Sequence, residues 1–266
     1  MSVGIIDFHT HAFPDALAAR AIRTLEEKAD IEARLDGRVS SLVASMDKAG
    51  VDKSVLASIA TKADQFEPIL EWSESIASDR IVPFPSVHPA DPDAPAKVRI
   101  IAGRGFKGVK LHPYYQEFRV DEERIHPIYE ALTETGLCLL LHTGFDVAFE
   151  RIRIADPVRV RRVVETFPEL KLVTSHMGAW GDWERAREHL FGKPVYVDVS
   201  YAIQFMEKER ARGLLQAHSP DYLLFGTDSP WDDQAEAVAS LRSLEFGPDW
   251  KDRVFFRNAA GLLGLA

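Results

Sequence analysis

Val3-Gly4-Ile5-Ile6-Asp7-Phe8-His9-Thr10-His11 is an apolar run that turns polar within three residues and then meets Ala12-Phe13-Pro14. It reads as a strand over 3–8 running into a loop. Side chains on a strand alternate between faces, so His9 and His11 point the same way at one strand end. Two neutral imidazoles side by side are half of a metal site suited to Zn, Fe or Ni. Two unrelated polar loop residues would give the same short pattern, so the remaining chain has to decide.

Outward from this stretch, short apolar or β-branched runs alternate with segments of helical period. Strands are predicted over 51–58, 81–87, 106–111, 137–141, 170–175, 195–199 and 222–226. Pro83 and Pro85 make the third of the eight irregular. Helices are predicted over 15–27, 40–49, 64–77, 93–102, 125–135, 157–167, 182–191, 207–218, 232–244 and 249–265. Gly50 and Gly136 serve as C-terminal stops and Pro157 as a first-turn residue. Eight strands, each followed by a helix, within 266 residues match a single-domain (β/α)₈ TIM barrel over 1–266. An open doubly wound sheet is the competing architecture, and no Gly-x-Gly-x-x-Gly after the first strand supports it. No linker rich in Gly, Pro or Ser divides the chain.

Composition narrows the partners. The chain is 46% hydrophobic and 27% charged, as in ordinary globular proteins, and its net charge of −9 argues against nucleic acid or an anionic membrane surface. No apolar run approaches the length of a membrane span and no basic, apolar leader is visible, so a cytoplasmic location is expected. The one cysteine, Cys138, lies in the apolar run 137–141 and reads as buried packing. The expected partner is a small-molecule substrate, and a homodimer is an admissible assembly.

A barrel carries its active groups at the C-terminal ends of its strands. His9 and His11 end the first strand, Lys110 and His112 the fourth, His142 the fifth, His176 the sixth and Asp228 the eighth. Five of nine histidines therefore fall at strand ends, with His88 after the third strand as a sixth candidate. Alternation places Lys110 with His112 on one face, Leu172 with Thr174 and His176, and Leu224 with Gly226 and Asp228. Each residue alone has a bland explanation: a core histidine, a helix cap, a snorkelling lysine. Together they have the composition of a catalytic metal site.

The pieces Asp7-Phe8-His9-Thr10-His11-Ala12-Phe13-Pro14, Phe106-Lys107-Gly108-Val109-Lys110-Leu111-His112-Pro113, Leu140-Leu141-His142-Thr143-Gly144, Thr174-Ser175-His176-Met177-Gly178 and Phe225-Gly226-Thr227-Asp228-Ser229-Pro230-Trp231 resemble the amidohydrolase superfamily. Within it they resemble the amidohydrolase-related branch (amidohydrolase family 2) of metal-dependent TIM-barrel hydrolases. The closing segment 256–265 is similar to the family's terminal helix. The resemblance implies a divalent metal on His9, His11, His142 and Asp228. Asp228 also touches the attacking water, and His176 acts as a ligand in two-metal relatives or meets substrate in one-metal relatives. Two-metal relatives carry a bridging carboxylate or carbamylated lysine at the fourth strand. Lys110 stands there, and its ammonium would repel a second cation. One metal is therefore expected, Zn first and Mn, Fe or Ni also suited, with a carbamylated Lys110 as the alternative.

The chemistry expected of such a set is attack by an activated water on a polarised carbonyl, with Asp228 and His176 as the catalytic residues. Lys110, His112, Tyr114, Arg151 and Trp231 are the substrate-binding candidates. Tyr115 and Trp180 are further wall residues, and Arg153 is a second carboxylate-clamp candidate beside Arg151. The leading expectation is a hydrolase of a small, anionic cyclic ester, lactone or amide. A non-oxidative decarboxylase of an unsaturated or aromatic acid is the alternative, and a catalytically silent metal- or ligand-binding barrel is the third reading.

Overall fold

In the computed structural model, which describes residues 4–265, the opening run forms β1 (Ile6–Thr10). Val3 of the expected strand lies outside the described residues. Helices α1 (Asp15–Ala29) and α2 (Val39–Ala49) follow, and Gly50 ends α2 at a φ of 70°. Then come β2 (Lys53–Ala57), α3 (Phe66–Ile76), β3 (Ile81–Phe84), α4 (Ala94–Gly103), β4 (Gly108–Leu111) and α5 (His126–Thr135). The second half runs β5 (Cys138–Leu141), α6 (Pro157–Thr166), β6 (Leu172–Thr174), α7 (Trp183–His189), β7 (Tyr196–Asp198), α8 (Lys208–Gln216), β8 (Leu223–Leu224) and α9 (Gln234–Ser243). The expected single helix over 249–265 is instead α10 (Pro248–Asp252), a π-helical stretch Arg253–Arg257 and α11 (Asn258–Leu263).

The strands pair in parallel as a three-stranded ladder, β1-β2-β3, and a five-stranded ladder, β4 to β8. Two seams close them into a TIM barrel. At the first, Phe8 N donates to Phe225 O at 2.9 Å and Asp228 N to His9 O at 2.7 Å. At the second, Lys110 N donates to Pro85 O at 2.9 Å. Prolines 83 and 85 have no N–H to extend that ladder, which is why β3 stops early. A Cβ on Gly108 would lie 2.2 Å from the Phe84 ring, so glycine is what lets Phe84 fill the barrel across this seam.

Ile6, Phe8, Val55, Phe84, Leu140 and Val173 pack in the barrel interior together with Cys138. Burial pushes the Cys138 thiol up to about 12, which suits it to packing. Val109 and Leu111 face the helices, leaving Lys110 on the inner face as alternation requires. Two strands depart from simple alternation. A register shift between Asp7 and Thr10 brings Phe8 and then His9 toward the axis. In β6, Leu172 packs on the helix side and Val173 inside. His176 still reaches the mouth because the backbone at His176 and Met177 is left-handed, with φ of 59° and 56°. No helix among the described residues is long and apolar enough to cross a membrane.

Candidate metal and active site

β1 and β8 bring His9, His11 and Asp228 together at the barrel mouth. Their ligand atoms lie within 4.8 Å of one another. Asp228 Oδ1 is 3.1 Å from His11 Nε2 and 3.4 Å from His9 Nε2. Asp228 has a left-handed backbone, φ 65°, a conformation that persists in a non-glycine residue only where surrounding contacts hold it. Burial opposes ionisation of this carboxyl, but the neighbouring His9, His11 and His176 outweigh it and hold it below the usual carboxylate range.

The outward nitrogens fix the two imidazoles. His11 Nδ1 lies 2.8 Å from Ala57 O, a carbonyl that can only accept, so Nδ1 carries the proton. His9 Nδ1 faces the Asp198 carboxylate at 2.9 Å and carries its proton for the same reason. Both Nε2 atoms therefore present lone pairs, and they face each other at 3.2 Å. Burial, then the Lys110 charge, hold His9 well below the usual imidazole range, which keeps it neutral.

The same pattern recurs nearby. His142 Nε2 donates to Phe145 O at 3.1 Å and His176 Nδ1 to Ser200 O at 3.0 Å. Their other nitrogens, His142 Nδ1 and His176 Nε2, face each other as lone pairs at 3.1 Å. Facing lone pairs beside a carboxylate repel unless a cation sits among them, and carboxylate- or carbonyl-anchored histidines are how proteins orient metal ligands. The donor set fits a divalent metal. His142 does not join the group of His9, His11 and Asp228. Its Nε2 side groups with His112 and Asp146 instead.

Lys110 is fully buried, with Nζ 3.0 Å from His9 Nε2. Burial pushes its ammonium down to about 8, against the pull of Asp228, Asp198 and Asp146. His112 stacks on His142 with ring centroids 4.1 Å apart, and its Nε2 is 3.2 Å from Asp146 Oδ2. Gln116 Oε1 accepts from His112 N at 2.8 Å, while Gln116 Nε2 donates to Ala60 O and Val87 O. Gln116 thus ties the loops after β2, β3 and β4 at the mouth.

A cavity of about 420 Å³ opens above these groups, lined by His9, His11, Lys110, His112, His142, His176 and Asp228 at its floor and by Tyr115, Trp180 and Trp231 on its walls. Gly144, with φ of 89°, makes room for Trp180: a Cβ there would sit 2.1 Å from Trp180 N. Three substrate-binding candidates stand elsewhere. Tyr114 spends its hydroxyl on Gly144 O and Ile152 O, holding the loop after β5. Arg151 lies over the Phe145 ring and donates to Gly181 O, and Arg153 pairs with Asp182, so neither reaches the cavity lining. His88 accepts from Ala90 N in a turn and is likewise absent from the lining.

Four polar residues received no role from sequence: the buried Asp198, Gln116 and Asp7, and the partly buried Asp146. Asp198 carried a usable signal, a lone carboxylate inside the apolar run 195–199. Asp146 and Gln116 sit in loops where no periodicity marks them.

The amidohydrolase family model matches residues 6–265. The chain belongs to the amidohydrolase family. This amidohydrolase is 35% identical to the dihydroorotase of Pseudomonas fluorescens over 111 residues, covering 38% of this chain and 32% of that relative's length. An uncharacterized TIM-barrel protein from Bordetella bronchiseptica superposes with a TM-score of 0.79 at 21% identity, over 98% of both chains. The 5-carboxyvanillate decarboxylase of Novosphingobium aromaticivorans, solved with bound manganese, superposes with a TM-score of 0.72 at 17% identity, over 99% of this chain and 97% of the other. These structural likenesses carry the fold.

Proposed function

We propose that this amidohydrolase is a metal-dependent hydrolase that cleaves an ester, lactone or amide bond by attack of water. The convergence of His9 Nε2, His11 Nε2 and Asp228 Oδ1 at the floor of the cavity carries the reading. One divalent metal would be held by His9, His11 and Asp228. The Lys110 ammonium, 3.0 Å from His9 Nε2, disfavours a second cation. When bound, such a metal supplies Lewis-acid polarisation of the carbonyl and acidification of water.

The chain's own groups do the rest. Asp228 accepts the proton of the attacking water and returns it to the leaving group. Asp198 and the Ala57 carbonyl hold the Nδ1 protons of His9 and His11 outward, so both Nε2 atoms stay unprotonated. His176, with its Nδ1 proton committed to Ser200 O, presents the Nε2 lone pair to the cavity and would accept a hydrogen bond from substrate or water. Trp231, Tyr115 and Trp180 exclude water around the bound substrate.

Decarboxylation of an aromatic acid is the second reading, favoured by the aromatic residues in the wall, which suit a planar ring. One experiment separates the two. Protein made in metal-supplemented medium is assayed for metal by elemental analysis, then offered ester, lactone, amide and arylcarboxylate panels in ¹⁸O water. About one equivalent of divalent metal and ¹⁸O in a released acid are expected. Carbon dioxide release without ¹⁸O in the organic product would replace hydrolysis by decarboxylation.

A further inference from the structure

The floor and the wall of the cavity differ sharply in charge. Every charged side chain among the lining residues belongs to the floor or its edge: Lys110, Asp146 and Asp228. The wall built by α1, the segment after it, and the β2–α3 connection with α3 presents Leu25, Ile31, Ile59, Ile69 and Trp72. Helix α1 carries Arg20, Arg23, Glu26, Glu27 and Lys28, yet none of these lines the cavity, and the Lys28 ammonium is engaged behind the lining over the Phe149 and Tyr115 rings, at 3.6 and 4.6 Å. The longest polar side chain of this wall is engaged locally: Gln65 Oε1 accepts from Thr61 N at 2.7 Å and Lys62 N at 3.1 Å, and from the Thr61 hydroxyl. The polar lining atoms without a partner are neutral ones, Ser58 Oγ, His112 Nδ1 and Trp180 Nε1.

A charge on the substrate body would have to be buried against this wall without a counter-ion, at a cost that paired binding sites avoid. Arg151 and Arg153, which sequence offered as a carboxylate clamp, are spent on Phe145, Gly181 and Asp182. We infer that the part of the substrate remote from its reacting group is an uncharged hydrophobic body, alkyl or aryl, seated on the α1–α3 wall. The inference rests on the cavity being the substrate site proposed above. It specifies the body of the substrate and leaves the bond that is broken to the hydrolase reading.

The test uses binding rather than turnover, so that it stands apart from the hydrolase reading. Trp72 and Trp231 line the cavity and report occupancy by fluorescence. The protein as purified is titrated with benzyl alcohol, with 4-(hydroxymethyl)benzoate and with 4-(hydroxymethyl)benzylamine as its ammonium. The neutral ligand is expected to bind at least tenfold more tightly than either charged twin. Each methylene added to the neutral ligand should tighten binding about fourfold until the cavity is filled, the equivalent of burying one CH₂. Ile69→Lys, at a half-buried position on α3 that leaves its ammonium room to reach water, should abolish that preference and favour the benzoate, whereas Ile69→Leu should keep it. Equal or tighter binding of the benzoate to the unaltered protein overturns the inference, as does failure of the neutral ligand to bind. Absence of hydrolysis with neutral ligands still binding would instead defeat the hydrolase reading alone.

Discussion

Where β8 meets β1, the barrel is joined through a buried carboxylate. Asp7 accepts from Thr227 Oγ1 at 2.6 Å, Gln234 Nε2 at 2.8 Å, Thr227 N at 3.0 Å and His9 N at 3.2 Å. Burial pushes its carboxyl up to about 7 against those donors. Where β3 meets β4, the join uses neutral groups: Ser86 Oγ donates to Lys110 O at 2.8 Å, and Gln116 spans Ala60 O, Val87 O and His112 N. The first seam carries His9, His11 and Asp228; the second carries Lys110 and His112. A barrel leaves its ladders incomplete where it needs strand ends free to aim side chains. Each gap then requires buried polar side chains to satisfy the backbone. The two seams differ in what they aim: metal donors at one, a cation and its neighbour at the other.

The largest effect expected at the first seam is Asp228→Asn. Asparagine keeps the shape and a carbonyl oxygen but cannot take a proton from water. kcat should fall by about 10²–10⁴-fold with KM little changed. Near-normal turnover would remove the base assignment and leave Asp228 as a ligand only. Next, His11→Ala should reduce bound metal from about one equivalent to a trace, with circular dichroism unchanged, because strand-end residues serve the site more than the fold. Full occupancy in that variant would mean the first seam does not anchor the metal.

Substitutions in the joins themselves sharpen the contrast. Asp7→Asn keeps a carbonyl oxygen for His9 N and Thr227 N but sets its NH₂ against Gln234 Nε2 and Thr227 Oγ1, which donate to the other carboxylate oxygen, and should cost about 1–3 kcal/mol of stability. It should also weaken metal binding, since His9 N and Thr227 N position the ligand-bearing segments. Gln116→Leu leaves two carbonyls and one N–H unpaired, some of which water at the mouth can reach, and should cost about 1–3 kcal/mol. It should leave metal stoichiometry intact. Urea unfolding with parallel metal analysis checks both; equal metal loss in the two variants would erase the proposed division between seams.

The sequence made the strands and their polar ends readable because an inner apolar residue, a polar terminus and a following helix repeat along the chain. Phe8-His9, Lys110-Leu111-His112 and Gly226-Thr227-Asp228 all announce themselves that way. What hid were groups whose role depends on a partner far along the chain. Asp198 acts through His9, 189 residues away, and Asp7 through Thr227, 220 residues away. Alternation also failed at β6, where the left-handed backbone of His176 and Met177 redirects the side chain without any glycine to mark it before Gly178. The commitment of Arg151 and Arg153 to the rim was equally invisible, because a guanidinium in a loop reads the same whether it meets substrate or Asp182.

The smallest effect expected lies away from both seams and serves as their control. His218 is buried between the start of β7 and the end of α8, with Nδ1 accepting from Gly192 N and Nε2 donating to Val195 O, both at 3.0 Å. Burial lowers its pKa below the unperturbed value near 6.5, and the Val195 bond opposes that only in part. Above pH 6.5 both folded and unfolded chains hold this imidazole neutral, and its contribution to stability is complete. As pH falls below 6.5, the unfolded chain takes up a proton that the folded chain resists. Stability is therefore lost with a slope of at most about 1.4 kcal/mol per pH unit until the folded value is reached. Glutamine can accept from Gly192 and donate to Val195 but cannot titrate. His218→Gln should therefore be less stable than the unaltered protein by about 1 kcal/mol at pH 7.5, and that gap should narrow at pH 5.5. Urea midpoints at the two pH values measure it. A gap that stays constant would show that His218 does not resist protonation in the fold, and the acid limb would then belong to the histidines of the mouth.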